Sequence, residues 1–504
     1  MSAVPDLLKI GAIPSNLAMS VETGILDPVV QNDKFIRFNM KRSGFLHSNS
    51  KLVLSLTGRG DADWRQTDAH AFLPASVGIG SVIERVRLLS GNTTIQEIQD
   101  WGDLHAYRSV FIAQENNKER EQYTTGRLTC LSSEFADDDR LEDFNQSDPS
   151  TPLTTGVAKR SDWKANEMTL DTGTEYYSHT FTTNTYGTAR PDATGDWMKR
   201  LQRFQYLDNE PVWQVSLQDL CPFLKQTQLP LFMFEEEIYL EITFSDPTRR
   251  QVVNKVLSDD AGTNPEMKIN PVESKLIIDY ITYPQETMEA FANANQNLSF
   301  QYYDYELTKF SVDRAKANSS FIRNLGGDGK VVNKVIMALQ RNDGAGANNT
   351  YLVEQLNGGY EARHPPEDAT KSRERVITNL RYNTEYLYPI DVKNDAYHFN
   401  NVVQAEGQPP MVSRGMYSGQ GSVGTYSAGL SGRQFEGREV QDNLKVDYFY
   451  QTFKLNKMNR INQKGIELYQ QMIDIDDKNH TLKVWLEVVK EARLVNGKLQ
   501  SSYA

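Results

Sequence analysis

The sequence predicts a mainly β chain made of two tandem antiparallel eight-stranded β-sandwiches, with a few short helices and long loops. Alternation of apolar and polar residues is the first observation behind this prediction. Apolar residues occupy every second position from Ile238 to Phe244 and from Leu482 to Val488, which is the period of a strand with one buried and one wet or partly wet face. Secondly, no regular strand–helix alternation occurs, so a parallel α/β fold is excluded. The third observation is an internal doubling.

Further segments show the two-residue period, and turn-forming residues follow several of them. These predicted strands cover residues 35–40, 51–57, 82–89, 275–283, 301–307, 331–339 and 444–453. Few helices are predicted: one begins at Asp100, one follows Pro284, and short ones lie near residues 217–224 and 466–473. In the first of these, Asp100 is a suitable N-cap, and apolar residues then recur at steps of three and four.

The doubling is visible in the spacing of aromatic and alternating segments. Phe204 precedes Ile238 by 34 positions, and Tyr448 precedes Leu482 by the same 34. The two halves are offset by 244 residues, close to half of the 504 in the chain. One sandwich with generous loops fits that length. Residue identity between the halves is poor, so a chance agreement of spacings is the alternative.

Domain bounds follow from these patterns. Residues 1–33 lack alternation and contain three prolines, and they are predicted to form an N-terminal arm outside the first sandwich. The first sandwich is predicted over residues 34–248 with a long loop insertion at about 131–197, followed by a linker over 249–271. The second is predicted over residues 272–504 with long loops at about 341–372 and 405–437. Loops of this length are usually functional or mobile.

The composition excludes several classes of protein. With 54 Lys+Arg against 66 Asp+Glu, the net charge is −12, which is the wrong sign for a protein that coats nucleic acid. Two cysteines cannot form a disulfide framework or a Cys-rich zinc module. No apolar run approaches the roughly 20 residues that span a bilayer. The first ten residues lack the basic and apolar regions of a secretory signal.

No motif predicts catalysis, and we assign no catalytic, cofactor-binding or metal-binding residue. Residues 419–424 match the Gly-x-Gly-x-x-Gly pattern, but no strand precedes them and no helix follows, so we interpret them as a flexible loop. The seven histidines are scattered and show no metal-ligand spacing. Among them, His105 is predicted on the surface of the helix after Asp100.

Two acidic segments are the remaining candidates for a ligand site. Residues 474–479 carry three Asp and one Asn, but they lack the central Gly and closing Glu of a twelve-residue calcium loop. We interpret them as an acidic turn. Residues 134–148 carry seven acidic residues against Arg140 alone, which is typical of a solvated loop. A metal ion or a partner at that segment is the open alternative.

Several segments resemble those of a known family. Residues 230–244, Pro-Leu-Phe-Met-Phe-Glu-Glu-Glu-Ile-Tyr-Leu-Glu-Ile-Thr-Phe, resemble the end of a jelly roll in double jelly-roll major capsid proteins. Residues 482–489 with the Asn496-Gly497 turn resemble such an end too, and residues 32–40 and 51–57 resemble first strands. The chain is similar as a pattern, over most of its length, to capsid proteins of small double-stranded DNA viruses, especially virophages and polinton-like viruses. The long loops match nothing residue by residue.

The resemblance implies both a fold and a function. Two jelly rolls lie side by side in each chain, three chains form a pseudo-hexameric homotrimeric capsomer, and many capsomers tile an icosahedral virion shell. The implied partners are the chain itself, neighbouring capsomers, and penton and other minor capsid proteins, and neither an enzyme activity nor a cofactor is implied. Residues 1–33 carry four acids against Lys9, which excludes a basic DNA-binding arm. The resemblance leaves an internal membrane open.

Two functions from other classes stay open beside the capsid function. Many Tyr and Trp residues and the acidic loops permit a carbohydrate-binding or glycoside-processing β-sandwich protein. Secreted proteins of that kind normally carry a signal peptide, which residues 1–10 lack. The other alternative is a viral fibre or spike protein. Such proteins usually show short repeats, and we find none in the sequence.

Overall fold

The computed structural model describes most of the predicted strands. The described residues are 19–57, 69–72, 78–112, 124–126, 212–225, 229–246, 252–255, 268–312, 319–341, 376–387, 404–406, 450–455, 460–461, 464–472 and 480–504. The strands in these ranges form four larger sheets and one two-stranded sheet. Across the described ranges, no helix is both long and apolar enough to cross a membrane.

The first sandwich is formed by two sheets of strands that precede residue 283. In chain order the strands are β1 (Ser20–Leu26), β2 (Val30–Asn32), β3 (Phe35–Met40), β4 (Phe45–Leu46), β5 (Lys51–Thr57), β6 (Ala69–Phe72), β7 (Ile83–Ser90), β8 (Thr93–Gln99), β9 (Val212–Ser216), β10 (Ile238–Phe244), β11 (Val252–Lys255) and β12 (Lys268–Thr282). Sheet A has the order β1-β12-β5-β9, with β4 beside β12, and sheet B has the order β2-β3-β10-β7-β8. Strands β6 and β11 form the separate pair.

The second sandwich also consists of two antiparallel sheets. Its strands are β13 (Asn297–Val312), β14 (Ser319–Asn324), β15 (Val332–Arg341), β16 (Val376–Tyr382), β17 (Glu385–Tyr386), β18 (Tyr450–Lys454), β19 (Ile466–Met472), β20 (His480–Val495) and β21 (Lys498–Tyr503). Sheet C has the order β13-β20-β15-β18, with β21 beside β20, and sheet D has the order β14-β19-β16-β17. If β13 to β20 are numbered 1 to 8, sheet C has the order 1-8-3-6 and sheet D has the order 2-7-4-5. These two orders are those of a jelly roll.

The sheet order confirms that the fold is doubled, while Phe204 and Tyr448, which showed the spacing, lie outside the described residues. Strand β10 lies between β3 and β7 in sheet B, and β20 lies between β13 and β15 in sheet C. The pair β5–β9 of sheet A likewise corresponds to β14–β19 of sheet D. The alternating segments that begin at Ile238 and Leu482 therefore occupy equivalent central strands. Each buries its apolar face in a core, as the period of two requires.

Three predicted helices are confirmed and one is wrong. The confirmed helices are α1 (Trp101–Ile112), α2 (Leu217–Leu220) and α3 (Gln285–Ala294). The helix predicted at residues 466–473 is instead β19, which pairs with β14 and β16. Its inward position 470 is a glutamine, which donates a hydrogen bond to the Thr378 hydroxyl at 3.2 Å. This buried polar residue hides the alternation, and the remaining apolar residues then fit a helical spacing.

The strand pairing crosses the predicted domain bounds. Strands β1 and β2 lie within residues 1–33, the predicted arm, yet they pair with β12 and β3. Residues 1–18 are not described. Strand β12 begins inside the predicted linker and extends into the predicted second sandwich, but it pairs with β1 and β5. Its buried residues Leu276, Ile278 and Tyr280 belong to the first core. The predicted loops lie outside the described residues, apart from Arg341 and residues 405–406.

Helix α3 follows the predicted linker at 249–271 along the chain. It occupies residues 285–294, between β12 of the first sandwich and β13 of the second. Phe291, on its apolar face, packs edge-on against Phe45 with ring centroids 5.2 Å apart. Phe45 also contacts Phe232 at 5.2 Å. The connecting helix is therefore attached to the first sandwich by an aromatic cluster.

The turn between β20 and β21 reaches the first sandwich. Asn496 and Gly497 both have positive φ, at 49° and 74°, as a two-residue hairpin turn requires. The Gly497 carbonyl accepts a hydrogen bond from the Glu235 backbone N–H at 2.8 Å. A β-carbon at position 497 would lie 2.3 Å from Glu235 Cγ. Glycine is therefore required by both the backbone and the contact.

We expect Gly497→Ala to lower the free energy of unfolding by about 1–3 kcal/mol, because it adds a steric clash to the strain of a positive φ. Gly329→Ala is the matched control. Gly329 has a φ of 69°, and a β-carbon there would meet nothing within 4 Å. Urea unfolding of both variants measures the difference. Equal losses in the two would contradict a tight contact between the turn and Glu235.

Candidate functional site

The structure describes few of the residues that the sequence singled out for ligands. Segments 134–148, 419–424 and 474–479 lie outside the described residues. His105 is described, and its predicted surface position is wrong: the ring is buried and stacks on Trp101, with centroids 4.5 Å apart. Within the described ranges, no group of three or more His, Cys, Asp and Glu side chains could hold a metal ion.

A buried polar arrangement lies where the two sandwiches meet, and we call it the junction. The first sandwich contributes β8 and α1, and the second contributes sheet C. Sheet C packs its other face on its own core. Trp485, Ile336 and Ala338, from β20 and β15, are fully buried in the core cluster that also contains Trp101. One apolar cluster therefore runs across the junction from the first sandwich to the near face of sheet C, and the second sandwich has a core of its own on the other face.

Hydrogen bonds fix the register of β8 on β13. The Gln96 amide donates to the Tyr303 carbonyl at 2.9 Å and to Asp304 Oδ1 at 3.1 Å. Tyr302 donates its hydroxyl to the Ile95 carbonyl at 2.6 Å. The Tyr302 ring also packs edge-on against Phe223, with centroids 5.1 Å apart. These directional contacts define one relative position of the sandwiches, which apolar burial alone does not do.

A buried ion cluster occupies the N-terminal end of α1. Lys483 of β20 pairs with Asp100 at 2.7 Å and also with Asp103. The Asp100 carbonyl accepts the Leu104 N–H at 3.3 Å, as an N-cap carbonyl does. Its carboxylate, however, pairs with the second sandwich, since Lys309 lies 2.9 Å away as well. Asp100, Asp103 and Lys483 side chains are at most 3% exposed.

The two lysines of the cluster shift the pKa of Asp100. Burial by itself raises the pKa of Asp100, but Lys483 and Lys309 lower it by more and bring it to about 2. The shift of Asp304 has the opposite sign, because burial raises its pKa by more than Lys490 lowers it. Asp100 is thus held charged, and its charge favours the folded chain.

We expect acid to weaken the ion pairs that Asp100 makes with Lys483 and Lys309. Because its folded pKa lies below the unfolded value, its contribution is complete above about pH 4 and is lost as the pH falls toward 2. That contribution is about 2–3 kcal/mol. Urea unfolding of wild type and Asp100→Asn at pH 6 and pH 2 measures it, and the stability difference should shrink in acid. A difference that is independent of pH would contradict the paired state of Asp100.

A second polar network joins α1 to sheet C. Tyr107 donates its hydroxyl to Glu406 at 2.7 Å, and Thr452 donates to the Tyr107 oxygen at 2.8 Å. Lys334 of β15 lies 2.8 Å from Glu406 and 3.4 Å from Glu487. Burial lowers the pKa of Lys334, but the two glutamates raise it by more, so it stays charged. Glu406 is the described residue that ties the segment after β17 to the junction.

The sequence pattern of β20 explains how one strand serves both the core and the junction. Leu482, Val484 and Leu486 point into the second core. The alternate face, predicted to be wet or partly wet, carries Lys483 and Trp485, and both are fully buried against the first sandwich. A tryptophan on a nominally polar face was the signal that this face is covered. Sequence reasoning missed the partners, because Asp100 and Asp103 lie in the other sandwich.

The junction can hold two sandwiches in one orientation, and its groups are arranged for that role. Its carboxylates are paired with lysines or accept hydrogen bonds from tyrosines. Nearby Cys221 is buried, and burial raises the pKa of its thiol far above the usual range. A protonated buried thiol is a poor nucleophile. The arrangement therefore supports a mechanical role in positioning the sandwiches.

Comparisons with known proteins identify the fold. No family model and no curated protein matches the sequence. A chain in the 3.5 Å cryo-EM structure of the Sputnik virophage is similar to this one over 100% of this chain and 93% of its own, with 9% identity and a TM-score of 0.52. The major capsid protein of mavirus matches over 98% of this chain and 91% of its own, at 10% identity and a TM-score of 0.45.

The PBCV-1 virus capsid also contains a similar chain, at 10% identity and a TM-score of 0.46, over 98% of each chain. At these identities a likeness concerns the fold, and the Sputnik chain, with the TM-score of 0.52, is the one that bears on it. The resemblance seen in the sequence is thus confirmed for the fold. The chain shares its whole fold, two jelly rolls in tandem, with a protein of the Sputnik virophage.

Proposed function

We propose that this chain is a major capsid protein, a structural subunit that associates with copies of itself to form the shell of a virus particle. The observation that carries the proposal is the full-length likeness to a chain of the Sputnik virophage, with a TM-score of 0.52. The likeness covers both sandwiches and the connection between them. A structural role, with no catalytic step, is consistent with the paired carboxylates of the junction.

The finer proposal concerns the unit of assembly. Three chains form a trimer that presents six sandwiches as a pseudo-hexameric capsomer, and capsomers meet one another, pentons and minor proteins in the virion shell. Within each chain we propose a division into a first sandwich over residues 20–282, a connector over 283–296 and a second sandwich over 297–504. The strand pairing on either side of α3 supports this division.

The junction supports the proposal physically. A shell repeats one contact many times, so weak contacts suffice when closure multiplies them. Such closure requires that the sandwiches keep a fixed angle in every copy. The buried ion cluster and the hydrogen bonds of Gln96 and Tyr302 provide that rigidity. We expect the contact within a trimer to be larger and more apolar than contacts between trimers.

Light scattering of the purified protein tests the proposal. We expect a mass of three chains or of larger particles without any added ligand. A persistent monomer whose melting temperature rises with added oligosaccharides would instead support the carbohydrate-binding alternative. Elongated particles of low symmetry would support the fibre alternative. Either result would contradict the capsid proposal.

A further inference from the structure

The exposed edge of β1 is an unusual surface of the first sandwich. Twelve large apolar side chains are exposed in the described residues, and five of them fall within residues 19–30. These five are Met19, Val21, Ile25, Val29 and Val30. Val21 and Ile25 belong to β1 and Met19 directly precedes it, whereas Val30 begins β2 in sheet B and Val29 directly precedes that strand. Single exposed apolar residues are normal, but such a concentration within a short stretch of chain marks a contact surface. We call Ser20–Leu26 with its outer face the β1 edge.

Strand β1 ends sheet A, and among the described residues only β12 pairs with it. Its sequence, Ser-Val-Glu-Thr-Gly-Ile-Leu, contains neither lysine nor proline. Proteins usually protect exposed edges with those residues, with bulges or with a covering segment. Pairing with β12 is regular over all seven residues. Within the described part of the chain, this regular edge carries none of these protections, and it is suited to accept a further strand.

The outer face of β1 and β12 has an internal symmetry. Val21 lies opposite Ile281 and Ile25 lies opposite Ile277, while Thr23 between them lies opposite Asp279. The Thr23 hydroxyl donates to Asp279 Oδ1 at 2.7 Å. Two aliphatic pairs thus flank one polar pair. Val21 and Ile25 are 49% and 65% exposed, because each has an aliphatic neighbour only on the side of β12.

We propose that the β1 edge pairs with the β1 edge of a second copy, in antiparallel register about a two-fold axis at Thr23. In this register Val21 of each copy lies opposite Ile25 of the other copy. Two aliphatic rows then run across both chains, each four residues wide. Sheet A of one chain continues into sheet A of the next, and the backbone groups on both free edges become hydrogen-bonded.

The charges on the edge fit this register. Glu22 is the single charged residue of β1, and it lies opposite Gly24 of the partner instead of opposite a second Glu22. The two Asp279 side chains are separated by three strand spacings, about 14 Å, which exceeds the screening length of about 8–10 Å at physiological salt. The axis at Thr23 thus joins like surfaces without placing like charges face to face.

This inference rests on the proposed self-association and names one of its contacts. A two-fold contact cannot close a trimer, so it belongs between trimers.

Disulfide trapping tests the proposed β1 contact directly. Thr23→Cys places two thiols opposite each other at the axis, with Cβ atoms about 4.5–5.5 Å apart, so that a small approach of the strands closes a disulfide. The background is Cys130→Ser, and buried Cys221 stays in place. The control is Ile322→Cys on β14, an edge strand of sheet D, where Ile322 is 62% exposed.

We expect mild oxidation of assembled protein to give covalent dimers through position 23, at least about tenfold more than through position 322, because only the former faces its own copy. A second test compares the double variant Val21→Lys with Ile25→Lys against the control variant Ile322→Lys. Four lysines at one contact should weaken association beyond the trimer about tenfold or more, with the trimer mass unchanged. If large particles form without the dimer, or tolerate the lysines, this inference fails and the capsid proposal stands. If wild-type protein stays monomeric, the capsid proposal itself fails.

Discussion

Replacement of Lys483 by methionine should lower the free energy of unfolding by about 3–5 kcal/mol, the range found when a buried ion pair loses one partner. Asp100 and Asp103 would remain buried, with their carboxylates at most 3% exposed and without the ammonium that now lies between them. Methionine fills a similar volume, so the loss would reflect charge and not a cavity. Urea unfolding at pH 7 measures it.

Two matched variants separate this effect from general damage. Lys309→Met removes the other lysine near Asp100, but Lys309 is 46% exposed, so we expect a loss of about 1 kcal/mol or less. Adding Asp100→Asn and Asp103→Asn to Lys483→Met should restore much of the stability, because no uncompensated buried charge remains. A Lys483→Met loss no larger than that of Lys309→Met would show that the cluster is not buried as described.

Replacement of Trp485 by alanine should cost about 3–5 kcal/mol, as for other fully buried large aromatic residues. Trp485 is 0% exposed and packs in the cluster that runs across the junction. Its loss would leave a cavity between the sandwiches while the second core keeps Val484 and Leu486. We therefore expect calorimetry to show one transition for wild type and two for the variant, because the sandwiches then unfold separately.

Trp485→Phe is the control for that experiment. Phenylalanine keeps most of the buried area and loses the long indole contact of 3.5 Å to the Gln99 carbonyl. We expect less than about half of the alanine loss and a single transition, since the packing across the junction is largely kept. Equal effects of alanine and phenylalanine would contradict the burial of Trp485 between the sandwiches.

Much of the fold could be predicted because its central strands obey a local rule. The segments at Ile238 and Leu482 alternate strictly, and each proved to be the central strand of its sheet. The misread strand β19 broke the rule through buried Gln470, whose amide nitrogen donates a hydrogen bond to the distant residue Thr378. Strand β1 gave little signal, because its outer face and half of its inner face are exposed.

The junction could not be predicted, for a physical reason. A lysine such as Lys483 on a strand face normally indicates solvent. Its burial depends on Asp100 and Asp103, which are 380 or more positions away, and no local pattern reports such a distance. Strand β12 shows the same limit. Its alternation predicted a strand, but only the pairing with β1 and β5 shows that it belongs to the first sandwich.

Cryo-EM of the purified, untagged protein tests the central claim most directly. The capsid proposal predicts particles built from threefold units, each with six sandwiches in a pseudo-hexagonal ring and the junction of Lys483 intact in every chain. A protein that remains a single pair of sandwiches at every concentration, without threefold units or shells, would contradict it.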